Sequence, residues 1–383
     1  MSTQPTNSPP VGQHDADTSA AVPDPSSTAA AHVPSDVSSG PRATIEDVAT
    51  AARVSVATVS RAMRGLPNVA AATRQRVVDV AQSLNYRPDP AASRLAAGKT
   101  KTITVGVPSL NGWYFSTVVA GAEAVCNEAG YEFQVIGVGS HDARDRLLDD
   151  RYHLERRTDG LILVDVEPSD EQASALARRG VSLTTIGARI VGCPSVQIDD
   201  EHVGRLAADH LIGFGHRDLG VISGLDDDPM NFAVPMARRS GFFGGAAAHG
   251  ITLGDEHVRN GNFGVDGGRV ATAELLDAPR PPTAIFAMSD EMAFGALMEL
   301  EHRALRPGVD VSIIGVDDHE FARVVKLTTI RQTIAEHGAV AARLLIEAMT
   351  VRATDAGVDY VPPAHQPTVE LVQRTTTGPA PTS

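Results

Sequence analysis

The first 41 residues show no repeating apolar pattern: Ser, Thr, Ala, Pro and Asp dominate, and isolated valines are the only large aliphatic residues after Met1. Such a stretch cannot bury enough surface to offset the entropy of ordering it, so a disordered tail is expected over 1–41. At Thr44 the texture changes. Ile45, Val48, Ala49 and Ala52 fall at i, i+3, i+4 and i+7 behind a Thr44/Asp47 start of capping-box type, which predicts a helix over Ile45–Ala52. After Arg53 and Val54, Ser55 is a good N-cap, and Val56–Met63 reads as a second short helix with Val59 and Met63 inward. Gly65, Pro67 and Asn68 break the chain. A third helix, over about 73–85, places Val77, Val80, Ala81 and Leu84 on one face.

Downstream, Asp89 can cap a helix, Pro90 suits its first position and Gly98 its stop, so about two turns are encoded over 89–98. A helix under about 12 residues is marginal alone in water, so this one is expected to form only against a partner. From Thr102 the pattern becomes strand, helix, strand. Apolar runs at 103–107, 133–138, 161–166, 183–186, 219–222, 284–287 and 311–316 alternate with amphipathic segments around 115–129, 143–157, 170–179, 202–213, 236–249, 267–277, 290–303 and 336–352. That rhythm predicts parallel sheets with right-handed crossovers, and its length predicts two lobes. A Thr- and Pro-rich end from about Thr375 is expected to be a second disordered tail, 375–383.

Composition sharpens this picture in one respect. The net charge of −14 over 383 residues conceals a basic block: residues 42–101 carry ten Lys and Arg against four acids, while the segments on either side are acidic. A basic head on an acidic body is the asymmetry of a DNA-binding module joined to another domain. Cys126 and Cys193 are too few for a disulfide framework and lack C-x-x-C spacing, so they read as reduced core thiols. With no apolar run of about 18 residues and no signal-peptide pattern, a cytoplasmic protein without membrane contact is expected. The Asp226–Asp228 run has no EF-hand spacing and reads as a solvated loop rather than a metal site. No P-loop, His-Glu-x-x-His or Gly-x-Ser-x-Gly elbow occurs, so neither an enzyme nor a cofactor is expected.

The run Thr44-Ile45-Glu46-Asp47-Val48-Ala49, then Val54 through Arg61, Thr73 through Val77 and Leu84 through Pro88 resembles the head of the LacI/GalR family of bacterial transcription regulators. The resemblance continues to about residue 374 through Ile198-Asp199-Asp200, Gly215-His216-Arg217, Pro282–Ala287, Ser289–Ala296 and Ser312–Asp318. It implies an α plus α/β protein. A helix-turn-helix head spans 42–88 and a hinge helix and linker 89–101; a two-lobed periplasmic-binding-protein-like core follows at 102–374. The first lobe is expected at about 102–198 and 335–361, the second at about 199–334 and 362–374. In such a head the start of the second helix enters the major groove, where base edges carry a distinct donor and acceptor code. Val56, Ala57 and Arg61 match the base-reading positions, and Ser55, Thr58, Ser60 and Asn68 suit phosphates, with Thr44 and Tyr86 also at the interface. In the hinge, Leu95 matches the family's minor-groove wedge, with Ala92 beside it. Paired hinges imply a homodimer on a pseudo-palindromic operator. The chain departs from the family pattern at Arg53, where the turn usually has Gly, at Ala70, where helix three usually has a Ser cap, and at Asp89, where Asn is usual.

For the body, the resemblance implies a small ligand held between the lobes. Tyr114 and Phe115, with Trp113 beside them, would offer an aromatic face. Arg238, Phe263 and Asp317 match ligand-binding positions, and Arg189, Asn231, Ser289 and Gln332 are further candidates. Gly187 stands where many relatives carry Asp, so one hydroxyl contact is expected to be missing or supplied by Arg189. An arginine fork with a carboxylate suits vicinal hydroxyls, hence a sugar-like effector and a repressor of carbohydrate uptake or catabolism genes. The alternatives are a nucleobase-responsive co-repressed regulator of the same fold, or a small-molecule binding protein in which the head is incidental.

Overall fold

Capping chemistry sets the start of the first helices. In the computed structural model, which describes residues 43–87, 99–224, 233–354 and 362–382, α1 spans Ile45–Ala52 behind a full capping box between Thr44 and Asp47. α2 spans Val56–Met63, and the Ser55 hydroxyl accepts from the Thr58 N–H at 3.2 Å. α3 spans Ala71–Ser83, beginning two residues before the expected start, and Ala70 contributes no side-chain cap. Val48, Ala49, Ala52, Val59, Ala62, Val77 and Ala81 form the small core of this head, with Met63 and Val80 packed at its margin. Leu84 was expected inward but is 37% exposed, because the helix has ended at Ser83. Arg53 adopts the left-handed conformation, φ 53° and ψ 50°. A side chain there costs about 1 kcal/mol. Arg53→Gly should therefore raise the melting temperature of the head by several degrees, read by thermal denaturation of the isolated segment and of the full chain.

The chain divides into two compact units, one ending at Pro88 and the other starting at Asp89. The second unit holds two six-stranded sheets. The first contains β1 (Thr102–Val107), β2 (Glu132–Gly137), β3 (Gly160–Val164), β4 (Ser182–Ile186), β5 (Ser195–Val196) and β11 (Ala364–His365) in the order β11-β5-β4-β3-β1-β2, all parallel. The second contains β6 (Leu219–Ser223), β7 (Val258–Asn260), β8 (Ala284–Ala287), β9 (Ser312–Asp317), β10 (Thr328–Arg331) and β12 (Glu370–Val372) in the order β12-β10-β9-β8-β6-β7, with only β12 antiparallel. The central strands are buried on both faces, as parallel sheets covered by helices require.

The covering helices are α4 (Trp113–Glu128), α5 (His141–Leu148), α6 (Asp170–Arg178), α7 (Asp200–Gly213), α8 (Ala233–Ala248), α9 (Val265–Leu276), α10 (Asp290–His302) and α11 (Ile334–Thr354). The segment expected as one helix over 143–157 is α5 followed by two 3-10 turns, because His153 is left-handed at φ 52° and interrupts it. Three helix pairs cross on reciprocal glycines. A Cβ at Gly121 of α4 would lie 1.8 Å from the Ala335 carbonyl oxygen, and one at Gly338 of α11 would lie 1.9 Å from that of Val118. Gly204 and Gly241 do the same for α7 and α8, as do Gly268 and Gly295 for α9 and α10.

Two expected boundaries are corrected. β11 pairs with β5, so residues 364–365 belong to the first lobe and the last crossing falls after them. The end from Thr375 is no frayed tail: Thr376 and Thr377 are buried, Ile313 N–H donates to the Thr376 carbonyl at 2.7 Å, and Ala380 N–H donates to that of Phe214 at 2.9 Å. His216, buried in the Gly-His-Arg turn, anchors this end by pairing with Thr283 Oγ1, Ser312 Oγ and the Gly378 carbonyl at 2.9 to 3.0 Å. The expectations for the tail 1–41, the hinge 89–98 with Ala92 and Leu95, Asn231 and the Asp226–Asp228 loop fall outside the described residues.

Candidate nucleic-acid interface and effector cavity

On the head, Ser55, Val56, Ala57 and Arg61 are exposed on α2 and the residue that caps it, while Val59 and Ala62 hold the helix to the core. Ala57 and Arg61 are four residues apart and so share one outward face. Thr58 is half-buried, its hydroxyl 2.9 Å from that of Ser55, and Ser60 is half-buried too. Asn68 is exposed and left-handed at φ 69°, and Thr44 is exposed at its cap. Tyr86 packs at the margin of the head core. Arg74 is occupied within the head, donating to the carbonyls of Ala62 and Leu66 at 3.0 and 2.6 Å.

In the body, both sheets run β2-β1-β3-β4 and β7-β6-β8-β9 through a reversal of strand order, and a crevice forms outside the carboxyl ends of strands at such a reversal. A cavity of about 340 Å³ lies there. Tyr114, Phe115, Arg238, Phe263, Ser289, Asp317 and Gln332 all line it, so the fold brings seven of the sequence candidates together. Two others stand apart. Trp113 is turned onto His319, ring centroids 4.2 Å apart, instead of lining the cavity. Arg189 is exposed and borders an adjoining, smaller hollow.

The polar groups of the cavity are held by their own neighbours. Ser289 caps α10, its hydroxyl accepting from Met292 N–H at 3.2 Å. Asp317 follows from β9, accepts from Gln332 Nε2 at 2.6 Å and from the Asp290 backbone N–H, and lies at the amino end of α10. Burial pushes its carboxyl above the usual range, against the pull of Arg238. Asp290 beneath it is fully buried and accepts from Thr329 Oγ1 at 2.7 Å and His319 N–H at 2.8 Å; burial, then the charge of Asp317, hold its carboxyl well above normal. Arg238 is 5% exposed, with Nε donating to Asp200 Oδ1 at 2.8 Å and Nη1 donating to the Met288 carbonyl. The expected fork is thus partly committed to the protein, and Nη2 has no protein partner among the described residues.

Several cavity residues escaped the sequence reading: Asp165, Gln197, Asp200, Asn262, Glu291 and His337. Asp200 and Glu291 sit in the first turns of α7 and α10, where acids are ordinary helix-start residues and signal nothing more. His337 lies in an amphipathic stretch and Asp165 interrupts an apolar run before its last residue, Val166; neither belongs to a spacing that signals a site. Burial raises the carboxyls of Asp200 and Glu291 and, more strongly, Asp165, which reaches about 8 with help from the nearby Asp200 charge.

The family model of bacterial regulatory proteins, lacI family, matches residues 44–89, and that of the periplasmic binding protein-like domain matches 208–377. Catabolite control protein A of Priestia megaterium is 32% identical over 327 residues, covering 83% of this chain and 96% of its own. This chain belongs to the lacI family of bacterial regulatory proteins. It is a DNA-binding transcription regulator with a helix-turn-helix head and a two-sheet effector-binding body, and it is not an enzyme. Among solved structures, the lac repressor dimer bound to operator and an anti-inducer is 27% identical, covering 88% of this chain and 99% of its own with a TM-score of 0.71. A complex of the transcriptional regulator CelR with cellobiose is 29% identical, covering 88% of this chain and all of its own with a TM-score of 0.62. No helix among the described residues is long and apolar enough to cross a membrane.

Proposed function

We propose that the protein is a homodimeric repressor of carbohydrate uptake or catabolism genes, acting in the cytoplasm on a pseudo-palindromic operator, with a small sugar as its effector. The observation that carries this reading is the cavity at the carboxyl ends of both sheets: an aromatic and apolar lining around a few fixed polar groups is what a hydroxylated ring needs. In the head, Val56 and Ala57 meet thymine methyls and Arg61 meets guanine O6 and N7, while Ser55, Thr58, Ser60 and Asn68 hold phosphates. Thr44 and Tyr86 complete that interface, and Ala92 with Leu95 wedges the minor groove at the operator centre. Exposed Phe321 and Val324, 58% and 74% accessible in the turn after β9, offer apolar surface for a second subunit. The effector makes different contacts in two lobe arrangements and so biases whether the hinges form on DNA.

Selection of bound duplexes from a random pool, repeated with mono- and disaccharides and with purines, tests the whole reading. A two-fold-symmetric site whose affinity changes with a sugar is expected. Equal, purely salt-governed affinity for every duplex would overturn it, and a response to purines alone would replace the effector. Arg61→Ala should cost about 1–3 kcal/mol of discrimination at one base pair of each half-site, with non-specific binding at matched salt changing far less.

A further inference from the structure

Two buried polar side chains lining the cavity, Asp165 and His337, have no side-chain hydrogen bond to the protein among the described residues. Asp165, just past β3, is 7% exposed and left-handed at φ 50°, and no described group bonds its carboxyl. His337, in the first turn of α11, is 2% exposed and its Nε2 has no hydrogen-bond partner among the described residues. Buried polar atoms are satisfied as a rule, so two orphans lining one cavity mark where a ligand supplies the missing bonds.

Asp165 also resolves the oddity at position 187. A Cβ on Gly187 would lie 1.8 Å from Asp165 Oδ1, and Gly187 itself is left-handed at φ 80°. The space that an acid at 187 would use is therefore filled by an acid from the neighbouring strand. Arg189, expected to compensate for Gly187, lies in the adjoining hollow. Around Asp165 the cavity holds the carboxyls of Asp200, Glu291 and Asp317, and the one guanidinium lining it among the described residues, Arg238, is already paired with Asp200.

We propose that Asp165 determines the specificity of the effector site, with His337 as a second anchor: together they hold a hydroxylated ring without negative charge, and Asp165 excludes carboxylated and phosphorylated sugars. This rests on the effector reading above. A ring hydroxyl both donates and accepts, so it satisfies the Asp165 carboxyl in either protonation state and His337 Nε2 in either tautomer. An anionic ligand would instead be stripped of water beside four carboxyls, and the one cation lining the cavity among the described residues, Arg238, is already paired with Asp200. The elevation of Asp165 to about 8 by burial and the Asp200 charge reports the same acid-rich, water-poor surroundings.

Calorimetric titration of the full-length protein with matched sets decides the matter: glucose, glucosamine and glucuronate; galactose, galactosamine and galacturonate; cellobiose and cellobionate. In the set that binds, the neutral or aminated member should bind at least 100-fold more tightly than the acid. Asp165→Asn should weaken the neutral sugar at least tenfold and narrow the gap to its acid to tenfold or less. His337→Phe should weaken the neutral sugar without narrowing that gap. Asp165→Ser serves if the Asn variant fails to fold, and the wild-type ordering alone is decisive. An acid bound within tenfold of its parent sugar, or a gap unchanged in both Asp165 variants, overturns the proposal and leaves the sugar reading intact. If no member of any set binds or alters operator affinity, the sugar reading falls and this proposal with it.

Discussion

Arg238→Met is expected to lower the melting temperature of the body by about 10 °C and to abolish the effector response while leaving operator binding by the folded protein in place. Arg238 is the only Lys or Arg among the described residues lining the cavity, and it is tied at once to Asp200 and to the Met288 carbonyl. Removing one partner of a buried ion pair costs about 3–5 kcal/mol, because the other is left charged and desolvated. At roughly 2–4 °C per kcal/mol for a domain this large, the shift is easily measured by calorimetry. Asp200 escapes the penalty by taking a proton, so part of the loss should be recovered on going from pH 8 to pH 5. Arg238→Lys should fall between: it keeps the charge, but a point cation cannot span both acceptors as the planar fork does. Full stability in the Met variant at pH 8 would mean that the pair contributes nothing net.

The head was legible almost residue by residue because its signals are local. Thr44 with Asp47, and Ser55 with Thr58, are capping chemistry written in the sequence, and α1 and α2 begin and end where those signals place them. α3 was displaced at both ends because Ala70 carries no such signal and Leu84 continues the apolar spacing past the last helical turn. In the body the long central strands announced themselves as apolar runs, whereas β5, β7, β10, β11 and β12, two to four residues each, exist only by pairing with distant partners. The threonines after 375 read as polar tail, yet the Thr376 hydroxyl donates to the Ile313 carbonyl and accepts from Thr328 N–H, extending the sheet's bonding by side chain. The reciprocal glycines lie inside predicted helices, and what they permit, backbone against backbone, is invisible without the second helix. Of the cavity, the residues matching the family's ligand-binding positions were found, while Asp200 and Glu291, inside family motifs, passed as helix-start acids. Asp165 and His337 were not found, because their significance is the absence of a partner, a property of the folded state alone.

That absence gives the body a characteristic pH dependence. The Asp165 carboxyl rises from 3.8 to about 8 on folding, so between those values the native state holds a proton the unfolded chain has lost, and stability falls as pH rises through the window. His337 moves the other way, from 6.5 to about 4, because burial and then the nearby His365 disfavour its charge. Stability from that group falls as pH drops from 6.5 to 4. Between 4 and 6.5 the His337 slope offsets one carboxyl's worth of this loss, while Asp317 and Asp200, raised as well, keep stability falling as pH rises. Above 6.5 the His337 offset is gone, and the Asp165 slope of about 1.4 kcal/mol per pH unit removes about 2 kcal/mol by pH 8, with the raised carboxyls of Asp200 and Asp317 adding in the same direction. Thermal scans of the ligand-free protein should show the melting temperature of the body falling by several degrees between pH 5 and pH 8. In Asp165→Asn the fall should shrink and the variant should be the more stable protein at pH 8, with the His337 slope offsetting a larger share of what remains below pH 6.5. A variant that tracks the wild type across the whole range would place the Asp165 carboxyl in water rather than in the dry, crowded cavity that the geometry gives it.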